Sequence, residues 1–421
     1  MRILIYSHHF APSVGGIESI VMSLARGLLE VSELQHSPSI EPIVATQTGA
    51  GSFDDGELPF QVIRKPSFAR LLSLVRGSDL VHVAGPALAP MLASYILGKS
   101  FVIEHHNYQS ICPNGLLILH PRRSICPGYF RARKYGQCLS CRAIETASWK
   151  AALSLVAMFP RRFLSRRALV NIGVSQHVVN RIALPNSLAI YHGVADPPLA
   201  SVSAAVPTIF AFVGRFVPEK GVPVLLRAST ILRSKCADFR VRLIGDGPER
   251  RSIEEMISFL KLEGVVEIMG FRSGPGLEEA LADVGALVMP SVWEETAGLS
   301  AMEHMMRGRL VIASSVAGLA EMLGEAGLLS TVESPESVAD CMFRVIQNPD
   351  LAGTLGRKAR ERALRLFSRT RMIEDHIKIY SSLLADNPEA SCEYHWETGT
   401  KQRADRKERQ RQVQSHAAKP E

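Results

Sequence analysis

Several things are missing from this 421-residue chain, and each absence excludes a class of function. No apolar run reaches the eighteen or more residues that a membrane span needs. The apolar start at residues 2–7, RILIYS, is too short for a signal-peptide core, and His8 and His9 follow at once. It reads as a first strand, so a cytoplasmic protein is expected. There is no Gly-x-Gly-x-x-Gly, which argues against a nicotinamide or flavin enzyme, and no Walker A loop. No nucleic-acid recognition motif accompanies the basic residues, and no Asp-x-Asp pair is present to hold a divalent cation. What remains is an ordinary globular composition, 46% hydrophobic and 21% charged, long enough for two domains and a tail.

The net charge of +7 is unevenly spread. Residues 120–170 hold eleven Arg or Lys against one acid, Glu145. A solvated basic face explains that; so does attraction to an anionic lipid surface or a phosphorylated acceptor. Cysteine is sparse too, yet four of the seven fall together: Cys112, Cys126, Cys138 and Cys141. The last two form Cys-Leu-Ser-Cys in a segment broken by Gly115, Pro121, Pro127, Gly128 and Gly136. A reduced compartment favours a metal site over a disulfide, and four thiolates suit tetrahedral zinc. An iron–sulfur cluster uses the same ligands, and buried free thiols remain open.

Along the chain, short apolar runs alternate with helical patterns. RILIYS, PIVATQ, DLVHVA, SFVIEH, LVNIGVS and SLAIYHG precede a Pro-, Ser- and Ala-rich stretch at 195–207; TIFAFVG, FRVRLIG, VVEIMG, ALVMPS and RLVIAS follow it. Such alternation predicts two parallel α/β domains, 1–198 and 199–367, joined by a linker. Functional residues are then expected in loops after strands, within the cleft between the domains. Residues 385–421 are polar and charged and read as a disordered tail.

Five loops carry the chemistry. In PSVWEETAGLSAMEHMMRGRLVIASS, from residue 290 to 315, Glu295 and Glu303 flank a strand-to-helix turn, Thr296-Ala297-Gly298-Leu299. Unpaired N–H groups and the positive helix end between them suit a phosphate with hydroxyl-rich rings on either side. In VGRFVPEKG, residues 213–221, Gly214 opens a turn from which Arg215 and Lys220 can both reach one diphosphate. Gly245 and Gly247 form a tight turn in IGDGP, and Gly15 and Gly16 precede a helix after the first strand. His105 and His106 follow the strand of SFVIEHHNYQSICP.

The GR-x-x-x-x-KG loop and the paired glutamates, in this order, resemble family 4 glycosyltransferases, over residues 1 to about 384. The likeness extends to GGIE at 15–18 and to His106, Asn107, Tyr108 and Cys112-Pro113, which parallel the family's His-Asp-aromatic and Cys-Pro. It departs from the family at Asn107, at Ala297, where an aromatic is usual, in Glu303-His304-Met305-Met306, where Glu-Ala-Met-Ala is usual, and in Gly308-Arg309-Leu310-Val311, where Gly-x-Pro-Val is common. The resemblance implies a GT-B fold: two doubly wound Rossmann-like domains facing a central cleft. The first, carrying a Cys-rich insertion at about 107–142, would bind the acceptor, and the second the nucleotide sugar. A helix at 368–384 would cross back to the first domain.

It further implies retaining sugar transfer without a catalytic metal, to a glycan or lipid-linked acceptor, in cell-surface polysaccharide or glycoconjugate synthesis. His105, His106, Arg215, Lys220 and Glu295 would be catalytic; Gly15, Gly16, Gly214, Gly245, Gly247, the residues 296–299 and Glu303 would bind the donor. Arg215 and Lys220 would stabilise the departing diphosphate, Glu295 would hold sugar hydroxyls and Glu303 the ribose. Peripheral contact with the inner face of the plasma membrane fits the basic segment, and no nucleic acid is expected. A GT-B nucleotide-sugar epimerase and a non-catalytic sugar-nucleotide binder remain alternatives.

Overall fold

The computed structural model describes residues 1–13, 15–34, 40–121, 124–197, 206–236 and 238–384. Most of the expected linker, and the tail at 385–421, lie outside them.

The first half holds strands β1 (Arg2–Ser7), β2 (Glu41–Thr46), β3 (Gln61–Arg64), β4 (Leu80–Ala84) and β5 (Phe101–His105), a hairpin pair β6 (Ile118–Leu119) and β7 (Ser124–Ile125), then β8 (Val170–Gly173) and β9 (Ser187–Ala189). All but the hairpin form one parallel sheet in the order β3-β2-β1-β4-β5-β8-β9. Its helices are α1 (Gly16–Leu34), α2 (Phe68–Arg76), α3 (Leu88–Ile96), α4 (Tyr135–Ala143), α5 (Ser148–Val156), α6 (Met158–Ser165) and α7 (Gln176–Ile182).

The second half holds β10 (Val206–Val213), β11 (Arg240–Ile244), β12 (Val266–Gly270), β13 (Val284–Met289), β14 (Leu310–Ser314) and β15 (Leu328–Ser330), paired in parallel as β12-β11-β10-β13-β14-β15. Its helices are α8 (Val222–Lys235), α9 (Arg250–Phe259), α10 (Gly274–Leu281), α11 (Leu299–Met306), α12 (Ala317–Leu323), α13 (Pro335–Gln347), α14 (Pro349–Leu366) and α15 (Arg369–Leu384).

Both faces of this second sheet are covered, which is why its strands read as unbroken apolar runs. Phe210, Leu243, Val288 and Ile312 enter one core with α8, α9 and α13; Ala211, Ile244, Leu287 and Val311 enter the other with α11, α12 and α14. The order reverses between β1 and β4 and between β10 and β13, and loops at such switch points receive ligands.

By its contacts the chain divides at His376. The unit Met1–Asp375 contains both sheets. Within it, the start of α15 reaches α1: the Arg369 guanidinium bonds the Glu30 carboxylate at 2.7 Å, and Ile373 packs on Gly27. The unit from His376 continues α15 to Leu384, with the His376 and Tyr380 rings 5.9 Å apart.

Candidate functional site

The second half brings four loops into register. The turn after β10 lies against the turn after β11: Gly214 N–H donates to the Ile244 carbonyl at 3.0 Å and Phe216 N–H to the Asp246 carbonyl at 2.9 Å. Gly245, at φ +149°, has its α-carbon directly against the Gly214 carbonyl, where any side chain would collide. Gly247 packs on the Phe216 backbone in the same way. These two glycines therefore fit the loops to each other. The loop ending at Gly221 packs in turn on the loop after β13, where Val292 N–H donates to the Glu219 carbonyl at 3.0 Å.

This stacking places Lys220 beside Glu295. Its Nζ lies 2.5 Å from Glu295 Oε1, and the Ser291 hydroxyl donates to the same oxygen at 2.8 Å. Glu295 is buried, so lysine and serine supply what water would otherwise provide. Arg215 is exposed on the same loop. The two cations thus differ: Lys220 is held by a carboxylate, whereas Arg215 projects from its loop into solvent. Glu303 lies in the second turn of α11, where burial raises its carboxyl above the usual range despite Arg307. Gly298 precedes the helix, and the first-turn N–H groups of α11 have no acceptor within the helix.

The first half meets this cluster at two points. Gly16, opening α1, packs on the Leu299 side chain, with Gly15 just before it beside Glu18. The Thr296 hydroxyl donates to the His106 carbonyl at 2.9 Å. The sequence-read residues of both halves, Gly16, His106, Thr296 and Leu299, are thereby brought together. Ala297, where the family usually has an aromatic, packs beside the Tyr108 and Ile111 cluster.

His105 and His106 are both buried but differ in surroundings. His105 Nε2 pairs with Asn171 Oδ1 at 2.9 Å, and burial pushes its pKa down to about 4. Asn171 lies on β8, so this bond ties His105 to the neighbouring strand. His106 Nδ1 lies 3.1 Å from His192 Nε2, and its Nε2 lies 3.5 Å from Glu104 Oε2. Burial lowers its pKa also. Glu104, His106 and His192 have ligand atoms within 4.8 Å of one another, a grouping that sequence reading missed because His192 comes 86 residues later.

The four cysteines line a single cavity of about 20 Å³, together with Asn114 and Tyr129. His120 N–H donates to Cys141 Sγ at 3.3 Å and Gly128 N–H to Cys126 Sγ at 3.4 Å. Burial and the neighbouring thiols push Cys138 up to about 12. Among the described residues, none of the groups of three with ligand atoms within 4.8 Å of each other includes a cysteine. The thiols share one cavity without converging on one point.

Other residues join the halves unannounced by any motif. Glu321 on α12 accepts Gln176 N–H and His177 N–H, both at 2.7 Å, at the start of α7, and the Tyr191 hydroxyl at 2.6 Å. Arg181 reaches Glu294 at 2.8 Å and also donates to the Cys126 carbonyl at 2.5 Å, tying the cysteine segment to the Glu295 loop. Burial would raise Glu294, but His177 and Arg181 outweigh it and hold the carboxyl low.

Comparison with known proteins shows the family. The family model "Glycosyl transferases group 1" matches residues 207–348. An uncharacterized glycosyltransferase of Methanocaldococcus jannaschii is 31% identical over 302 residues, 70% of this chain and 80% of that protein. The chain belongs to the group 1 glycosyltransferases. Within family 4 of these enzymes it carries the GT-B fold, as the solved structures show. Anabaena HepE, crystallised with UDP-glucose, superposes with a TM-score of 0.67 at 18% identity, over 91% of this chain and all of that one. A D-inositol 3-phosphate glycosyltransferase of Saccharomonospora viridis is 31% identical over 188 residues, 42% of this chain and 43% of that protein.

As a group 1 glycosyltransferase the protein uses a nucleotide-sugar donor, and its family generally works without a catalytic metal. No helix among the described residues is long and apolar enough to cross a membrane.

Proposed function

We propose that this glycosyltransferase transfers a hexosyl group, with retention at the anomeric carbon, from a nucleotide diphosphate sugar to a glycan or lipid-linked acceptor. The reading rests on one observation: the Gly16 turn, the His106 carbonyl and the start of α11 converge beside the Lys220–Glu295 pair. Negative charge builds on the diphosphate as the sugar's C1–O bond breaks. Arg215, exposed on its loop, and the first N–H groups of α11 meet that charge.

Lys220 acts with Glu295 as a unit. The lysine holds the carboxylate ready for donor sugar hydroxyls and adds its own positive field. Glu303 takes the ribose hydroxyls. His106 faces the acceptor side, a neutral imidazole backed by His192 and Glu104. A UDP-sugar is the first donor to test, since HepE was solved with UDP-glucose. Purified protein incubated with radiolabelled UDP-, GDP- and ADP-sugars, with and without lipid and glycan extracts, should move label only when acceptor is present. Interconversion of the sugar without acceptor would instead make it an epimerase, and saturable binding without turnover a binding protein.

For the cysteine segment we infer one structural zinc held by Cys112, Cys126, Cys138 and Cys141. The shared cavity and the N–H groups aimed at two of the sulfurs support this reading. Ligation would draw the sulfurs closer together. Protein purified without chelator or affinity metal should carry about one equivalent of zinc. A Cys→Ser change at any of the four should release it. Absence of both zinc and iron, with four thiols titrating freely in the native state, would leave them as packing residues.

A further inference from the structure

Three neighbouring helices of the first half turn their apolar faces outward. On α5, Trp149, Leu153 and Val156 recur at helical spacing, and Trp149 and Val156 are each 62% exposed. On α6, Phe159 and Phe163 are exposed one turn apart. On α3, Leu92, Tyr95 and Ile96 form a third stripe, with Ile96 60% exposed. The stripes are continuous: Phe163 meets the Tyr95 ring edge-on at 5.8 Å, and α5 leads directly into α6. A monomer rarely leaves so many large side chains together in water.

The charges around this face have one sign. None of the three helices carries an acid. Arg131, Arg133, Lys134, Lys150, Arg166 and Arg167 are exposed on and beside them. Lys150 lies over the Trp149 ring and Arg167 over the Phe163 ring, so cations sit at the rim of the apolar surface. Between residues 80 and 170 the acids are Glu104, which is buried, and Glu145, which is paired with Arg142 and His120. Aromatic and aliphatic side chains ringed by Lys and Arg are the composition of an interfacial membrane helix.

We propose that α3, α5 and α6 form a docking face for an anionic lipid bilayer, with Trp149, Leu153 and Val156 entering the headgroup layer. The position serves the site. Arg161 on α6 donates to the Pro86 carbonyl, in the loop after β4, so the face adjoins the strand ends from which His106 projects. An acceptor embedded in the bilayer would then present its polar head beside the cleft. The proposal extends the lipid-linked reading of the acceptor, and its test is binding alone, so it stands or falls apart from sugar transfer.

The full chain is mixed with vesicles of phosphatidylcholine containing about one phosphatidylglycerol in three, and with pure phosphatidylcholine vesicles. Binding should favour the anionic vesicles by about tenfold or more and weaken with salt. Brominated lipid should quench fluorescence, and Trp149→Phe should remove that quenching, although Trp293 and Trp396 remain. Trp149→Ser/Leu153→Ser/Val156→Ser should abolish insertion with an unchanged melting temperature, since these side chains are exposed. Lys150→Glu/Arg166→Glu/Arg167→Glu should abolish the preference for anionic lipid.

Three results would overturn the proposal. One is no sedimentation with anionic vesicles at low salt. Another is binding that leaves Trp149 unquenched, which would assign it to another basic stretch, such as residues 401–411. The third is a concentration-dependent dimer that the serine variant dissociates, with no lipid binding, which would show that a second copy covers this face.

Discussion

The two halves present opposite electrostatic surfaces to one cleft. On the second half the polar groups are charged, with Lys220 on Glu295 and Arg215 exposed. On the first half the group that meets them is His106, an imidazole stripped of water whose pKa burial lowers. A nucleoside diphosphate carries the same charge whatever sugar it bears, so its half needs fixed cations. An acceptor hydroxyl is neutral, and a neutral, desolvated wall does not compete with the diphosphate for counter-charge. On the proposed reading, the halves would divide the work between holding charge and excluding it.

Breaking the charged side should have the largest effect. Lys220→Ala should lower turnover by on the order of a hundredfold or more, and also destabilise the fold by about 3 kcal/mol, because Glu295 is left buried without its cation. Adding Glu295→Gln should recover stability while leaving turnover low; full recovery of turnover would reduce the pair to a structural bridge. Arg215→Ala should cost a comparable factor in turnover with an unchanged melting temperature, since Arg215 is exposed.

The next test addresses the neutral side, through acid. His105, His106 and His304 all have folded pKa values below the ordinary 6.5, each chiefly from burial. As pH falls below 6.5 the unfolded chain takes up protons that the folded chain refuses. Stability present above pH 6.5 should thus be lost progressively on the way down, for His105 until about 4, at up to about 1.4 kcal/mol per unit for each histidine. The carboxylates held low by arginines, Glu30, Glu278 and Asp283, add their loss only as pH falls through the acid range. Urea melts at pH 7, 6 and 5 should show the slope; a flat profile would mean that the imidazoles take up protons in the fold as readily as in the unfolded chain.

Two smaller effects sharpen the comparison. Glu303→Ala should weaken nucleotide binding by about tenfold and change the turnover of bound donor little, since ribose contacts persist from ground state to transition state. Equal nucleotide affinity in both proteins would remove the ribose assignment. Glu321→Ala removes the acceptor of two N–H groups at the start of α7, and should cost about 1 kcal/mol in a denaturant melt.

The charged half was the more legible in the sequence. Arg215, Lys220, Glu295 and Glu303 each follow a strongly apolar strand within a few residues of a glycine, so strand, turn and charge can be read from one short window. The strands were equally plain except β3, β15 and the two-residue hairpin strands β6 and β7, which are short and in part exposed. Glu321, Arg181 and His192 were not legible, because their partners lie 86 to 145 residues away. The face of α3, α5 and α6 misled for another reason. Its charge was visible, but an apolar stripe at helical spacing looks the same whether another element covers it or not. His105 was read with His106 as catalytic; its bond to Asn171 was not legible, because that partner lies 66 residues away.

The contact between Gly16 and Leu299 sets the gauge of the cleft. A carbon atom added at Gly16 would come 2.8 Å from Leu299 Cδ1, closer than side chains tolerate. The two walls approach each other here by virtue of a side chain that is not there. Leu299 can yield to alanine at position 16 by turning its side chain, whereas the bulkier valine should press the walls apart without altering any charge. Such a series would turn the width of the aperture into an adjustable quantity, against which donor retention and acceptor entry can each be read.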